Sequence, residues 1–312
     1  MGRPRSLATA SATMGRKGQP VHGWIILDKP LGRTSAWAVG AVRRLLDANK
    51  AGHAGTLDPL ASGVLPIALG EATKTVPFIQ DGTKGYTFTV RWGEARDTLD
   101  AAGAVTATSA ARPTETALRA ALPQFMGTLS QTPPSYSALK VAGQRAYDLA
   151  RAGETPVLPP RMVRIDQLEL VSAGPDEASF RVECGKGTYV RVLAQDLALA
   201  VGTLGYVSAL RRTRVGPFAE DRAISLEQLA ELVVNPAPVA YLHPVAAALA
   251  DIPAIAVTGA EAQCLKAGQP IRLAPGNNQG QRGAVWAMVD GLPIAVAEVV
   301  DGEVRALRVF NL

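Results

Sequence analysis

The stretch that most constrains this fold is residues 85–93, where Tyr86, Phe88, Val90 and Trp92 alternate with Thr87, Thr89 and Arg91. A side-chain period of two puts the apolar set on one face and the polar set on the other, which predicts a half-buried strand. Around it, strand-like and helix-like patterns interleave without regularity. Residues 23–28 (Gly-Trp-Ile-Ile-Leu-Asp) read as a short buried strand closed by the turn Lys29-Pro30-Leu31-Gly32. Thr34 or Ser35 can cap a helix running to about Ala48, with Val39, Val42, Leu45 and Leu46 inward. Residues 52–66 read as a loop rich in Gly and Pro, and residues 114–126 as a helix carrying Leu118, Leu122 and Met126. Phe180, Val182 and Cys184 mark another strand, after which Thr188 caps a helix with Val190, Leu193, Ala194 and Leu197 on one face. Ser225 to Gln228 has the form of a capping box. This irregular order predicts an α+β fold, a mixed and largely antiparallel sheet with flanking helices, instead of a βαβ series.

The 312 residues accommodate one large domain and one small one. Residues 1–20 are Arg- and Ser-rich and acid-free, and they read as a disordered basic tail; Met14-Gly15 offers a second start. A boundary is expected in the Pro-rich stretch 235–253, which separates a domain at 21–245 from a small β domain at 251–312. In the latter, Asp290-Gly291 and Asp301-Gly302 are hairpin signals. Residues 131–160, opened by Pro133-Pro134, form a polar and basic insertion in the larger domain.

Composition removes several function classes. Hydrophobic residues are 47% and charged residues 19%, a globular balance. No apolar run long enough for a transmembrane helix is free of Pro or charge. Cys184 and Cys264 are far apart and predict free thiols in a reducing compartment, hence the cytoplasm; the three scattered histidines give no zinc spacing. The net charge is +5, of which Arg3, Arg5, Arg16 and Lys17 supply +4, so the remaining chain carries +1. Two local patches stand out: Lys140, Arg145, Arg151, Arg161 and Arg164 in and beside the insertion, and Arg211, Arg212 and Arg214. Such clusters suit phosphate contacts, and equally suit a solvated face.

Two phosphate motifs fail on inspection. Gly185-Lys-Gly187 lacks the third glycine and the later acid of a dinucleotide fingerprint, and residues 70–75 lack the glycine before the lysine of a P-loop. The informative segment is Gly52-His53-Ala54-Gly55-Thr56-Leu57-Asp58-Pro59-Leu60-Ala61-Ser62-Gly63. Pro59 biases Asp58 away from helical geometry, and the glycines let the backbone fold tightly around one carboxylate. An isolated Asp-Pro commonly just opens a turn.

This segment resembles the catalytic motif of the TruB family, the tRNA pseudouridine-55 synthases. Leu27-Asp-Lys-Pro-Leu-Gly32, Leu69-Gly-Glu-Ala-Thr-Lys74, Pro134-Ser-Tyr-Ser-Ala-Leu-Lys140, Gly187-Thr-Tyr-Val-Arg191 and Leu210-Arg-Arg212 resemble further family motifs, in family order. The likeness spans about residues 21–234, and 251–312 is similar to a PUA-type RNA-binding domain. It implies an isomerase that breaks the N-glycosidic bond of a uridine in the tRNA T-arm, turns the uracil and rejoins it through carbon. The same resemblance makes Asp58 the nucleophile, attacking either the ribose or the base, and Arg191 its partner. Tyr86 stacks on the flipped uracil and assists proton removal, or is plain core. His53, Tyr189 and Leu210 contact the substrate, residues 131–160 grip RNA, and Lys29 is a structural turn residue. No cofactor or metal is implied, and a cytoplasmic monomer is expected. The sequence offers no second acid in a setting like that of Asp58. Two other classes stay open: a non-catalytic RNA-binding or tRNA-folding module, and a base-excising glycosylase.

Overall fold

The computed structural model describes residues 18–137, 139–141, 143–154, 156–235, 241–272 and 283–312. The tail expected at 1–20 lies outside the described residues except for its last three. These join the fold, since Gln19 bridges Ala48 and then accepts the Asn49 N–H at 2.9 Å.

Among the described residues the main sheet has nine strands. Its path runs Gly23–Lys29, Ala61–Leu69, Gly205–Val215, Lys84–Trp92, Glu177–Cys184, Arg161–Ala173 and Gly127–Gln131, with Ala51–His53 and Phe218–Ala219 alongside. One pairing is parallel, residues 210–212 against 61–63, and the others are antiparallel. The α+β class with a mixed, largely antiparallel sheet is the one the chain adopts. On Lys84–Trp92, Phe88, Val90 and Trp92 are buried and Arg91 is exposed, as the alternation requires. Phe88 stacks on its cross-strand partner Phe180 at 5.3 Å between centroids, worth about 0.5–1.5 kcal/mol beyond burial alone.

Two strands depart from the sequence expectation. Residues 61–69 form a strand that takes up the last six residues of the stretch read as a loop, 61–66, and continues past it. Gly63 and Pro66 look like breakers there, while burial of Val64, Leu65, Ile67, Ala68 and Leu69 erases any alternation. Gly205–Val215 was hidden by two register irregularities against Lys84–Trp92, at Val207/Ala209 and Arg212/Arg214, which break the period of two. The helix expected at 114–126 runs Glu115–Ala121 and tightens into a 3-10 turn Leu122–Phe125, because Pro123 has no N–H to continue it; Met126 ends up exposed. Thr34 and Ser225 cap their helices as expected. Thr188 does not: its hydroxyl turns to the Gly185 carbonyl at 3.2 Å, and the helix Val190–Ala200 starts after Tyr189.

Two apolar clusters meet at the middle of the sheet. One is built on Phe88, Phe180, Val182, Leu193 and Leu197, the other on Ile25, Leu27, Val42, Leu57 and Leu65. Tyr86 and Leu210 are half-buried and pack against both. A third cluster joins Trp24, Ile26 and Phe218 to Val296 of a C-terminal sheet, five-stranded among the described residues, and to Phe310 just past its last strand. Lys74 Nζ donates to the Val309 carbonyl at 2.8 Å, and the Asn311 N–H donates to Glu71 at 2.8 Å, which fastens that sheet to the larger unit. Its two hairpins turn at Asp290-Gly291 and Asp301-Gly302, all four residues at positive φ, the type I′ geometry that such pairs favour.

Candidate active site

Asp58 stands between the antiparallel strands Ala51–His53 and Ala61–Leu69. Gly55 has φ +108° and Gly63 +99°; at Gly63 a Cβ would come within 2.2 Å of the Arg212 carbonyl oxygen, so a side chain does not fit. The Ser35 hydroxyl donates to the Leu57 carbonyl at 3.0 Å and accepts the Leu57 N–H at 2.8 Å. Arg212, 1% exposed, donates to the carbonyls of Val64 at 2.8 Å, Thr56 at 3.3 Å and Gly55 at 3.1 Å. Two buried side chains thus hold the main chain on either side of Asp58, and the carboxylate is presented on a shaped loop.

The Asp58 carboxylate is 38% exposed and lies 2.9 Å from Nε of Arg191, whose side chain is 5% exposed. A guanidinium so buried needs partners on every edge. Arg191 Nη1 donates to the Thr98 carbonyl at 2.8 Å and Nη2 to the Tyr136 carbonyl at 3.0 Å, and Asp100 Oδ2 lies 3.7 Å from Nη1. Asp100 in turn accepts the Thr98 hydroxyl at 2.6 Å and the Ala102 N–H at 3.0 Å. Only Asp58 in this network keeps an open side.

Beside Asp58 is a recess of about 10 Å³, room for one water-sized body, whose walls include Asp100, Arg191 and Leu210. It shares Leu60, Ser208, Ala209 and Leu210 with an open cleft of about 380 Å³, which continues over Thr87 and Thr89. The recess is too small for a planar ring, which can enter it only if these walls part.

Residues 43–190 match the TruB family pseudouridylate synthase N-terminal domain, and residues 191–250 match the tRNA pseudouridylate synthase B C-terminal domain. The chain is 53% identical to tRNA pseudouridine synthase B of Bradyrhizobium diazoefficiens over 99% of its own length and 91% of that protein. The protein of the same name from Rhodospirillum rubrum is 51% identical over 95% of this chain and 99% of the relative. The chain belongs to the TruB family. Solved structures agree in fold. A chain of an H/ACA RNP bound to a substrate RNA containing 2′-deoxyuridine superposes with a TM-score of 0.73 at 24% identity, covering 93% of this chain and 86% of that one. A chain of a Cbf5-Nop10-Gar1 complex gives 0.71 at 25%, covering 93% and 84%.

The remaining TruB-motif residues gather nearby, though Tyr86, Tyr189 and His53 are not in the walls of the recess or the cleft. Tyr86 is the register partner of Arg212; burial raises its phenol above the ordinary range while Arg212 pulls it down. His53 is not a solvated loop residue: it ends a strand paired to Ile67, with Nδ1 buried and no partner among the described residues. Burial, then Arg212, lowers its imidazole pKa, which favours the neutral ring. Lys29 is fully buried and donates to the carbonyls of Pro30 at 2.9 Å and Arg33 at 2.6 Å, the turn role expected of it. Burial pushes its ammonium down to about 8, opposed by the Asp58 carboxylate. Tyr189 precedes the helix bearing Arg191, its ring 4.8 Å below the Arg161 guanidinium.

The second basic patch is not a free phosphate site. Arg211 binds both oxygens of Asp28 at 3.0 Å, Arg214 pairs with Glu183, and Arg212 is interior. Sequence reasoning also missed Asp100 and the clamps Ser35 and Arg212. Asp100 follows Leu99, which has φ +63°, so a local turn carries it to Arg191. The one available signal was Arg212 within the Leu-Arg-Arg motif.

Among the described residues no three His, Cys, Asp or Glu side chains gather as a metal donor set, and no helix is long and apolar enough to cross a membrane.

Proposed function

We propose that this protein converts uridine 55 in the T-loop of tRNA to pseudouridine, with Asp58 as the nucleophile. The observation that carries the reading is the Asp58–Arg191 pair at 2.9 Å, in which the arginine is buried and the carboxylate is 38% exposed. Arg191 holds the carboxylate aimed, and the clamped loop removes its freedom to turn away. The target nucleotide leaves its stack at a cost of a few kcal/mol, and stacking on an aromatic ring offsets about 1–3 kcal/mol of that. In this reading the flipped uracil parts the seam at Leu210, stacks on Tyr86 and lies against Asp58. The carboxylate attacks either the ribose anomeric carbon or the base, the glycosidic C–N bond breaks, and the uracil turns. A C–C bond to the ribose anomeric carbon then forms, the bond to Asp58 breaks and returns its electron pair to the carboxylate, and the proton on the attached uracil carbon leaves with help from Tyr86. His53 and Tyr189 contact the displaced loop nucleotides, the insertion at 131–160 grips the T-arm, and the C-terminal sheet is a PUA-like RNA-binding unit. The protein works as a monomer in the cytoplasm.

The test is incubation with unmodified tRNA followed by carbodiimide mapping. Pseudouridine at position 55 supports the reading. Free uracil with an abasic site indicates a glycosylase, and RNA retention without product indicates a binding module. Asp100 gives the glycosylase a second carboxylate, but its Oδ1 is held by Thr98 and Ala102 and its Oδ2 faces Arg191, an arrangement that suits orienting Arg191 better than activating water.

A further inference from the structure

The insertion and the start of the catalytic helix are joined by more than chain connectivity. Gln131, 5% exposed at the root of the insertion, faces the main chain of Tyr189 with both ends of its amide. Its Oε1 accepts the Tyr189 N–H at 2.7 Å, and its Nε2 donates to the Tyr189 carbonyl at 3.1 Å. That carbonyl also accepts the Leu193 N–H at 3.1 Å and so opens the helix on which Arg191 sits. Tyr189 lacks a side-chain cap of its own, so Gln131 fixes where this helix begins. From the far root of the insertion, the Arg161 guanidinium covers the Tyr189 ring and donates to the Gly187 carbonyl. Between the two roots, the Tyr136 carbonyl accepts from Arg191 Nη2 at 3.0 Å. The insertion and the residue that follows it thus touch the start of this helix at three places, and the guanidinium reached by Tyr136 is the one paired with Asp58.

We infer that Gln131 is a positioning residue that couples the seating of the insertion on RNA to the alignment of Arg191 with Asp58. The inference rests on the reading of Asp58 and Arg191 as the catalytic pair. Gln131 itself is interior and meets no substrate. When the insertion is drawn onto RNA, its root transmits that placement through the amide to Tyr189 and Arg191. The effect belongs in the chemical step and not in affinity.

The variants Gln131→Leu, which removes both hydrogen bonds, and Gln131→Glu, which keeps only the acceptor, separate these roles. Each is checked for a wild-type melting profile, then measured for tRNA dissociation constant and single-turnover pseudouridine formation. Gln131→Leu is expected to lose about 10- to 100-fold in single-turnover rate, as a small misplacement of a catalytic group does, with a dissociation constant within about threefold of wild type. Gln131→Glu is expected to fall between. A Gln131→Leu rate equal to wild type overturns the inference, as does a rate loss matched by lost affinity. Unfolding of both variants also overturns it, because the amide is then only part of the fold. If wild type itself forms no pseudouridine, the functional reading fails instead, and the two failures are told apart by that control.

Discussion

Arg191 approaches Asp58 through Nε and spends its two remaining nitrogens on the carbonyls of Thr98 and Tyr136, so the pair is held from the arginine side and open on the aspartate side. A lysine keeps the charge but offers a single nitrogen where the structure uses three. Arg191→Lys is therefore expected to fold and bind tRNA, while single-turnover rate falls by about 100-fold or more, the loss typical of a removed preorganised donor. Rapid-quench measurement at saturating enzyme checks it; a rate within threefold of wild type contradicts it.

Arg212 has a different position. It touches three carbonyls of the Asp58 loop and is buried, so Arg212→Met leaves those acceptors without partners. At about 1–3 kcal/mol for each buried group left unpaired, the variant is expected to lose several kcal/mol of stability together with activity. Urea denaturation followed by tryptophan fluorescence measures this, with an unchanged midpoint as the contrary result.

Lys29 predicts a pH dependence. Its folded pKa of about 8 lies below the ordinary 10.5, so between these values the unfolded chain binds more protons than the folded one. The stability contribution of Lys29 therefore rises with pH across that window, by at most about 1.4 kcal/mol per pH unit, and is flat below it. Denaturation of wild type and Lys29→Met at pH 7, 8 and 9 isolates it: the difference should shift in favour of wild type above pH 8 and stay constant below.

The fold was legible where one face is buried and the other wet, as along Lys84–Trp92, because alternation survives there. It was illegible at Ala61–Leu69, where full burial removes the polar half of the pattern, and at Gly205–Val215, where two irregularities shift the phase. The same holds for the site. Asp58 could be singled out because glycines and a proline frame it in sequence. The pairing with Arg191, 133 positions away, came from family resemblance and not from any local signal. Asp100 and Ser35 carry no such frame. Their roles depend on a turn and a helix end that converge on residues distant in sequence, which no local pattern encodes.

The measurement that tests the account most directly compares wild type with Asp58→Asn on the same unmodified tRNA, mapping position 55 by carbodiimide labelling with melting curves to confirm both are folded. The substitution keeps the size of the side chain and removes the carboxylate. The account predicts a pseudouridine signal at position 55 for wild type and none for Asp58→Asn, with tRNA binding retained. Equal signals from the two proteins would contradict it.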